Sequence, residues 1–137
     1  MTQQEFIKKY STEIIISTIG TSLFPSVKMA QAALETGYGK YIQKSGNNMF
    51  GIKAYGDKTP YWKGDYINLN THEYYSNTPD NINDKFRSYK TITDSIRDHS
   101  YFLKNLEHYK PVFLAKNPQE QAKALQNAGY ATDPNYA

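Results

Sequence analysis

No cysteine occurs in this chain, which excludes disulfides, thiolate metal sites and a cysteine nucleophile and leaves the redox compartment open. Long apolar runs are missing too. The most hydrophobic stretch, Ile14-Ile15-Ile16, is far too short for a membrane span or a signal peptide. Charge of one sign is scarce: 16 basic against 13 acidic residues leave a net +3, with no basic block. That is too weak and dispersed for a nucleic-acid partner, yet compatible with an anionic bacterial wall. The three histidines, His72, His99 and His108, form no His-Glu-x-x-His pattern, so no metal is expected. His99 lies on the apolar stripe of its helix and reads as a satisfied core or boundary histidine. A Gly-x-Ser-x-Gly elbow and a phosphate-cradling glycine loop are also absent, and no cofactor is implied.

What is present fits one globular domain. At 137 residues, 39% hydrophobic and 21% charged, the chain can bury a single core. Residues 1–137 read as one domain trimmed at its C-terminal edge, monomeric, and either part of a longer exported protein, a phage-type chain released by other means, or an excised fragment, among which the sequence does not choose. Thirteen tyrosines against six phenylalanines and one tryptophan point to rings working at surfaces and clefts.

Periodicity divides the chain into helices around a hairpin. Thr2-Gln3-Gln4-Glu5 is a capping-box pattern, followed by Phe6, Ile7, Tyr10, Ile14 and Ile15 at helical spacing up to about Gly20. Pro25 opens a second helix with Val27, Ala30 and Leu34 on one face and Gly37 as its C-terminal cap. Residues 38–55 read as a short helix and a glycine-punctuated loop. The runs Tyr66 to Tyr75 and Ile82 to Tyr89, separated by turn formers at 76–81, predict an antiparallel hairpin. Ile92, Ile96, His99, Leu103 and Leu106 then predict a helix stopped by Pro111. Asn117-Pro118-Gln119-Glu120 opens another, with a stripe of Ala122, Leu125 and Ala128. The result is an α+β fold, a mainly helical lobe and a small β-hairpin lobe flanking a cleft.

Glycosidic bond cleavage needs a carboxylic acid that stays protonated near neutrality. Glu35 has ingredients for this. It lies at a helix C-terminus, where the macrodipole disfavours negative charge, and Ala32, Ala33 and Leu34 beside it are apolar. Composition alone instead favours a solvated helix-end glutamate, since most glutamates are exposed.

Ala30-Gln31-Ala32-Ala33-Leu34-Glu35-Thr36-Gly37-Tyr38-Gly39 resembles the signature of glycoside hydrolase family 73, the wall-cleaving N-acetylglucosaminidases of flagellar and autolysin type. Five further segments resemble the family in the same order. They are Asn47-Asn48-Met49-Phe50-Gly51-Ile52-Lys53, Thr71-His72-Glu73-Tyr74, Phe86-Arg87-Ser88-Tyr89, Ser95-Ile96-Arg97-Asp98-His99 with Phe102-Leu103, and Tyr130-Ala131-Thr132-Asp133-Pro134-Asn135-Tyr136-Ala137. One departure is Tyr38, where the family often has tryptophan.

The resemblance implies a lysozyme-like fold, peptidoglycan glycan strands as partner, and a secreted, cell-wall or periplasmic location. It puts Glu35 in the general-acid position, Glu73 on the hairpin as a secondary catalytic glutamate, and Tyr130 near the reaction centre. Read from residues alone, Glu73 is an exposed strand residue and Tyr130 a core aromatic. Substrate contact is expected from Tyr38, Asn47, Asn48, Trp62 and Tyr66, with Tyr55 and Tyr61 as further stacking candidates, although asparagines here also shape turns and aromatics suit strands. Phe50 is expected to pack under the cleft. If Glu73 is far from Glu35, a covalent route, which needs carboxyls about 5 Å apart, gives way to inversion or to attack by the substrate's own 2-acetamido group. We favour the second. The implied reaction is endo-β-N-acetylglucosaminidase cleavage; a muramidase, a lytic transglycosylase and a non-catalytic glycan-binding module are the alternatives.

Overall fold

The structure, a computed structural model, describes residues 1–42, 44–71 and 82–130. Helix α1 spans Gln3–Thr18 and begins as its capping pattern predicts. The Thr2 hydroxyl accepts from the Glu5 amide at 3.1 Å, an interaction worth about 1 kcal/mol. Phe6, Tyr10 and Ile14 bury one stripe. Ile7 and Ile15, expected in the same stripe, are instead 45% and 48% exposed, because each sits about 100° further round the helix.

Helix α2 spans Pro25–Thr36 with proline in its first turn. It ends in a left-handed turn at Gly37 (φ 57°), where the Tyr38 amide reaches back to the Ala33 carbonyl at 2.9 Å. A Cβ on Gly37 would stand 2.8 Å from the Tyr41 ring, so glycine is required on two counts. The face expected to be core differs. Ala30 and Leu34 stay exposed, lining a groove with Pro118 and Ala122, while Lys28, Gln31, Ala32 and Ala33 turn inward.

The short helix expected within 38–55 is replaced by consecutive turns in the described residues. The hairpin is present as β1 (Tyr66–Thr71) antiparallel to β2 (Ile82–Arg87), with Tyr66 opposite Arg87 and Asn68 opposite Lys85. Residues 52–54 add to the free edge of β2. The Arg87 amide donates to the Ile52 carbonyl and the Ala54 amide to the Lys85 carbonyl, both at 2.9 Å. The turn expected at 76–81 lies outside the described residues.

Helix α3 (Ile92–Lys104) ends before the expected stop. Pro111 lies instead inside a 3-10 helix, Glu107–Leu114, whose looser hydrogen bonding tolerates it. Helix α4 (Pro118–Asn127) is capped by Asn117, whose Oδ1 accepts from the Glu120 amide at 2.8 Å.

Two adjoining clusters form the interior. One joins Phe6, Tyr10 and Ile14 to Ala32, Ala33, Phe50 and Ile96. The other gathers Leu23, Val27, Leu103, Val112 and Leu125 under α4. The architecture is thus mostly helical with one small antiparallel sheet.

Candidate active site

Glu35 is the penultimate residue of α2 and is exposed. The apolar surroundings expected for it are not found. Ala32 and Ala33 turn into the core, and Leu34 is itself 57% exposed. Helix polarity remains, since the carboxylate sits in the last turn. Its carboxylate lies against Gly51, where φ is +66°. A Cβ built on Gly51 would lie 2.7 Å from Glu35 Oε2, closer than real Cβ contacts come. The absent side chain is the seat of the carboxylate.

The loop carrying Gly51 is folded by its own asparagines. Asn48 is 3% exposed. Its Oδ1 accepts from the Phe50 and Ile52 amides, and its Nδ2 donates to the Ile52 and Arg87 carbonyls at 2.8 and 3.0 Å. The expectation that Asn48 binds sugar is therefore corrected: its polar atoms are spent on the backbone. Asn47, at φ +64°, uses its amide nitrogen on the Tyr89 carbonyl at 3.0 Å, so that group also serves the turn. The Met49 amide donates to Ser95 Oγ at 2.9 Å. Phe50 is buried beneath the site, as expected. Its carbonyl accepts from the Tyr130 hydroxyl at 2.9 Å. Tyr130 and Glu35 thus meet this loop at consecutive residues.

Trp62 is the other correction. It is 4% exposed, its Nε1 donates to the Asp65 carbonyl at 2.7 Å, and the Arg87 guanidinium lies 4.1 Å from its ring centroid. No face remains for a sugar. Tyr38 is half-buried, edge-on to Phe6 at 5.8 Å. Tyr61 is also half-buried and meets Tyr101. Tyr66 and Tyr55 keep surface, at 51% and 61% exposure, and Lys85 Nζ stands 4.7 Å from the Tyr66 ring centroid.

Sequence reasoning missed the anchor of the sheet. Asp98 on α3 is completely buried, and it accepts from Arg87 Nη1 at 2.8 Å, Thr59 Oγ1 at 2.6 Å and the Tyr89 hydroxyl. Arg87 Nη2 continues to the Tyr55 carbonyl at 2.9 Å. Burial, then the Asp98 charge, raises the Tyr89 phenol above its ordinary pKa of 10.0. The network ties the base of the hairpin and the 55–62 loop to α3. An acidic residue on the shoulder of an apolar helical stripe was the available signal.

A second buried polar group links α2 to α3. Lys28 is 1% exposed, and its Nζ donates to the Ile96 carbonyl at 2.6 Å and to Ser100 Oγ at 2.8 Å. Burial lowers its pKa from 10.5 to about 7, against the opposing effect of the Asp98 charge. His99 is fully buried, as expected, but the satisfied histidine expected there is not found, since neither ring nitrogen has a hydrogen-bond partner; burial, then the Lys28 charge, holds it well below 6.5. Glu73 and His72 lie outside the described residues. Among the described residues, no three of His, Asp and Glu gather as metal ligands.

An exposed glutamate at a helix end, set against a loop that leads into a small antiparallel sheet, is consistent with the lysozyme-like glycoside hydrolase domain that the resemblance implies. Residues 14–137 match the glucosaminidase family, described as mannosyl-glycoprotein endo-beta-N-acetylglucosaminidase, and the chain belongs to that family. It is similar to the peptidoglycan hydrolase FlgJ of Vibrio parahaemolyticus, 42% identical over 118 residues, 82% of this chain and 37% of the relative. It is likewise similar to the exo-glucosaminidase LytG of Bacillus subtilis, 38% identical over 141 residues, 98% of this chain and 48% of the relative. The chain therefore spans less than half the length of these two relatives. A crystal structure of a peptidoglycan hydrolase mutant from Sphingomonas sp. A1 superimposes with a TM-score of 0.82 at 28% identity, covering 98% of this chain and 87% of that one.

Proposed function

We propose that residues 1–137 act as one catalytic domain that hydrolyses peptidoglycan between N-acetylglucosamine and N-acetylmuramic acid, outside the cytoplasm. The observation that carries this reading is the seat of Glu35. A carboxyl lying against Gly51 at an exposed helix end supports the reading of Glu35 as the group that gives a proton to the departing glycosidic oxygen. Tyr130, whose hydroxyl donates to the Phe50 carbonyl, meets the same loop and is proposed as a second polar group of the site. Tyr66 and Tyr38 are proposed sugar contacts, Tyr66 having the greater exposed surface.

The group that completes the reaction opposite Glu35 is proposed to be the substrate's 2-acetamido oxygen. It attacks the anomeric carbon as the leaving oxygen takes the Glu35 proton, and water then opens the cyclic intermediate. Glu73 remains a proposed secondary group, acting on water.

Endo-cleavage is our first reading. Exo-cleavage is the second, because the relative matched over 98% of this chain carries an exo-glucosaminidase name. Mass spectrometry of digested peptidoglycan tests both. Reducing-end N-acetylglucosamine on fragments of mixed length is the expected result, whereas disaccharides alone from the outset mean exo-cleavage. Reducing-end muramic acid or an anhydro-muramic end would overturn the glucosaminidase reading in favour of a muramidase or a transglycosylase. Binding without release of fragments would mean a glycan-binding module.

A further inference from the structure

The loop that seats Glu35 is held from below by one imidazole. The Phe50 ring, 1% exposed, stacks on the ring of His99 with centroids 3.9 Å apart and planes 27° from parallel. The same His99 ring meets Tyr130 edge-on at 5.8 Å and 86°. Phe50 and Tyr130 are the two residues joined by the hydroxyl-to-carbonyl bond at 2.9 Å, and the next peptide leads to Gly51 and the Glu35 carboxylate. His99 therefore touches both partners of the bond that precedes the seat.

The contacts that the structure gives His99 are ring contacts. Both ring nitrogens are buried without a hydrogen-bond partner in the structure. What the structure shows of this side chain at the site is its plane, stacked on one ring and edge-on to another. A flat ring permits parallel stacking on Phe50 and edge-on contact with Tyr130 together, which a branched aliphatic side chain cannot reproduce.

We propose that His99 is a positioning residue, whose ring fixes the Phe50–Gly51 peptide and so the angle at which Glu35 addresses the glycosidic oxygen. This rests on Glu35 being the general acid. Misplacing a reacting group by about 1 Å costs on the order of a hundredfold in rate, so a small slip of this loop is kinetically visible.

The test compares His99→Phe and His99→Leu with wild type and Glu35→Gln on soluble peptidoglycan glycan chains. kcat and KM are read separately, and the folded fraction is followed by circular dichroism at the assay temperature. His99→Phe is expected within about threefold of wild type, and His99→Leu to lose at least tenfold in kcat at an unchanged KM while folded. If His99→Leu melts below that temperature, His99→Met replaces it. A folded Leu or Met variant with wild-type kcat overturns the proposal, as does a folded Phe variant as slow as the aliphatic one. Wild-type turnover by Glu35→Gln would instead sink the general-acid reading, so the two failures are separable.

Discussion

Gly51 and Glu35 share one space: a Cβ on Gly51 would stand 2.7 Å from Glu35 Oε2, so a side chain at 51 and the carboxylate in its present position cannot coexist. The positive φ at Gly51 reinforces the exclusion, at a cost of roughly 1 kcal/mol for an L-residue. Gly51→Ala must therefore displace the carboxylate, the loop or both. We expect kcat to fall at least tenfold with little change in KM, while the thermal midpoint drops by only a few degrees. Kinetics on soluble glycan chains beside a melting curve checks this; wild-type kcat would show that the seat is unimportant.

Asp98 neutralises Arg87 in a place neither can leave, their side chains being 0% and 3% exposed. Asp98→Ala strands a buried guanidinium, which costs about 3–5 kcal/mol. Urea titration should show that loss. A change below about 1 kcal/mol would mean that the network is not what ties the hairpin to α3.

Lys28 makes stability depend on pH in a direction opposite to a salt bridge. Its pKa is lowered from 10.5 to about 7 in the folded protein. Below pH 7 the lysine is charged in both states, and the fold bears the full burial penalty. Between about 7 and 10.5 only the unfolded chain keeps the proton, so stability rises with pH across that window. Lys28→Met removes the dependence. Its effect on stability should be about 3–5 kcal/mol more favourable at pH 6 than at pH 10.5, on top of the pH-independent loss of the bonds to Ile96 and Ser100. Denaturant midpoints at the two pH values decide; an equal effect at both contradicts the account.

Trp62 is the chain's one tryptophan and is packed under Arg87. Its fluorescence should resist acrylamide quenching and stay unchanged when N-acetylglucosamine oligomers are added. A spectral shift on saturation would return Trp62 to the sugar-binding surface.

These outcomes also mark how far local sequence reaches. The Thr2, Gly37 and Asn117 caps were legible because each depends on residues within one helical turn. The proposal for Glu35 comes from its neighbours in the family motif, which structure alone does not supply. The fates of Asn48 and Trp62 were not, since Arg87, 39 and 25 positions away, supplies the carbonyl that binds one and the cation that covers the other. Lys28 defeated apolar patterning on α2 for the same reason. Its burial depends on a carbonyl and a hydroxyl 68 and 72 residues distant. Long-range polar satisfaction, more than hydrophobicity, decided which residues reached the site.

The central claim is that Glu35 is the proton donor, and Glu35→Gln tests it most directly. The variant keeps nearly the same shape, so it should fold with a wild-type circular dichroism spectrum and bind peptidoglycan. Its release of reducing-end N-acetylglucosamine, followed by mass spectrometry, should be at least a hundredfold slower than wild type. Release at the wild-type rate from folded Glu35→Gln would contradict the account.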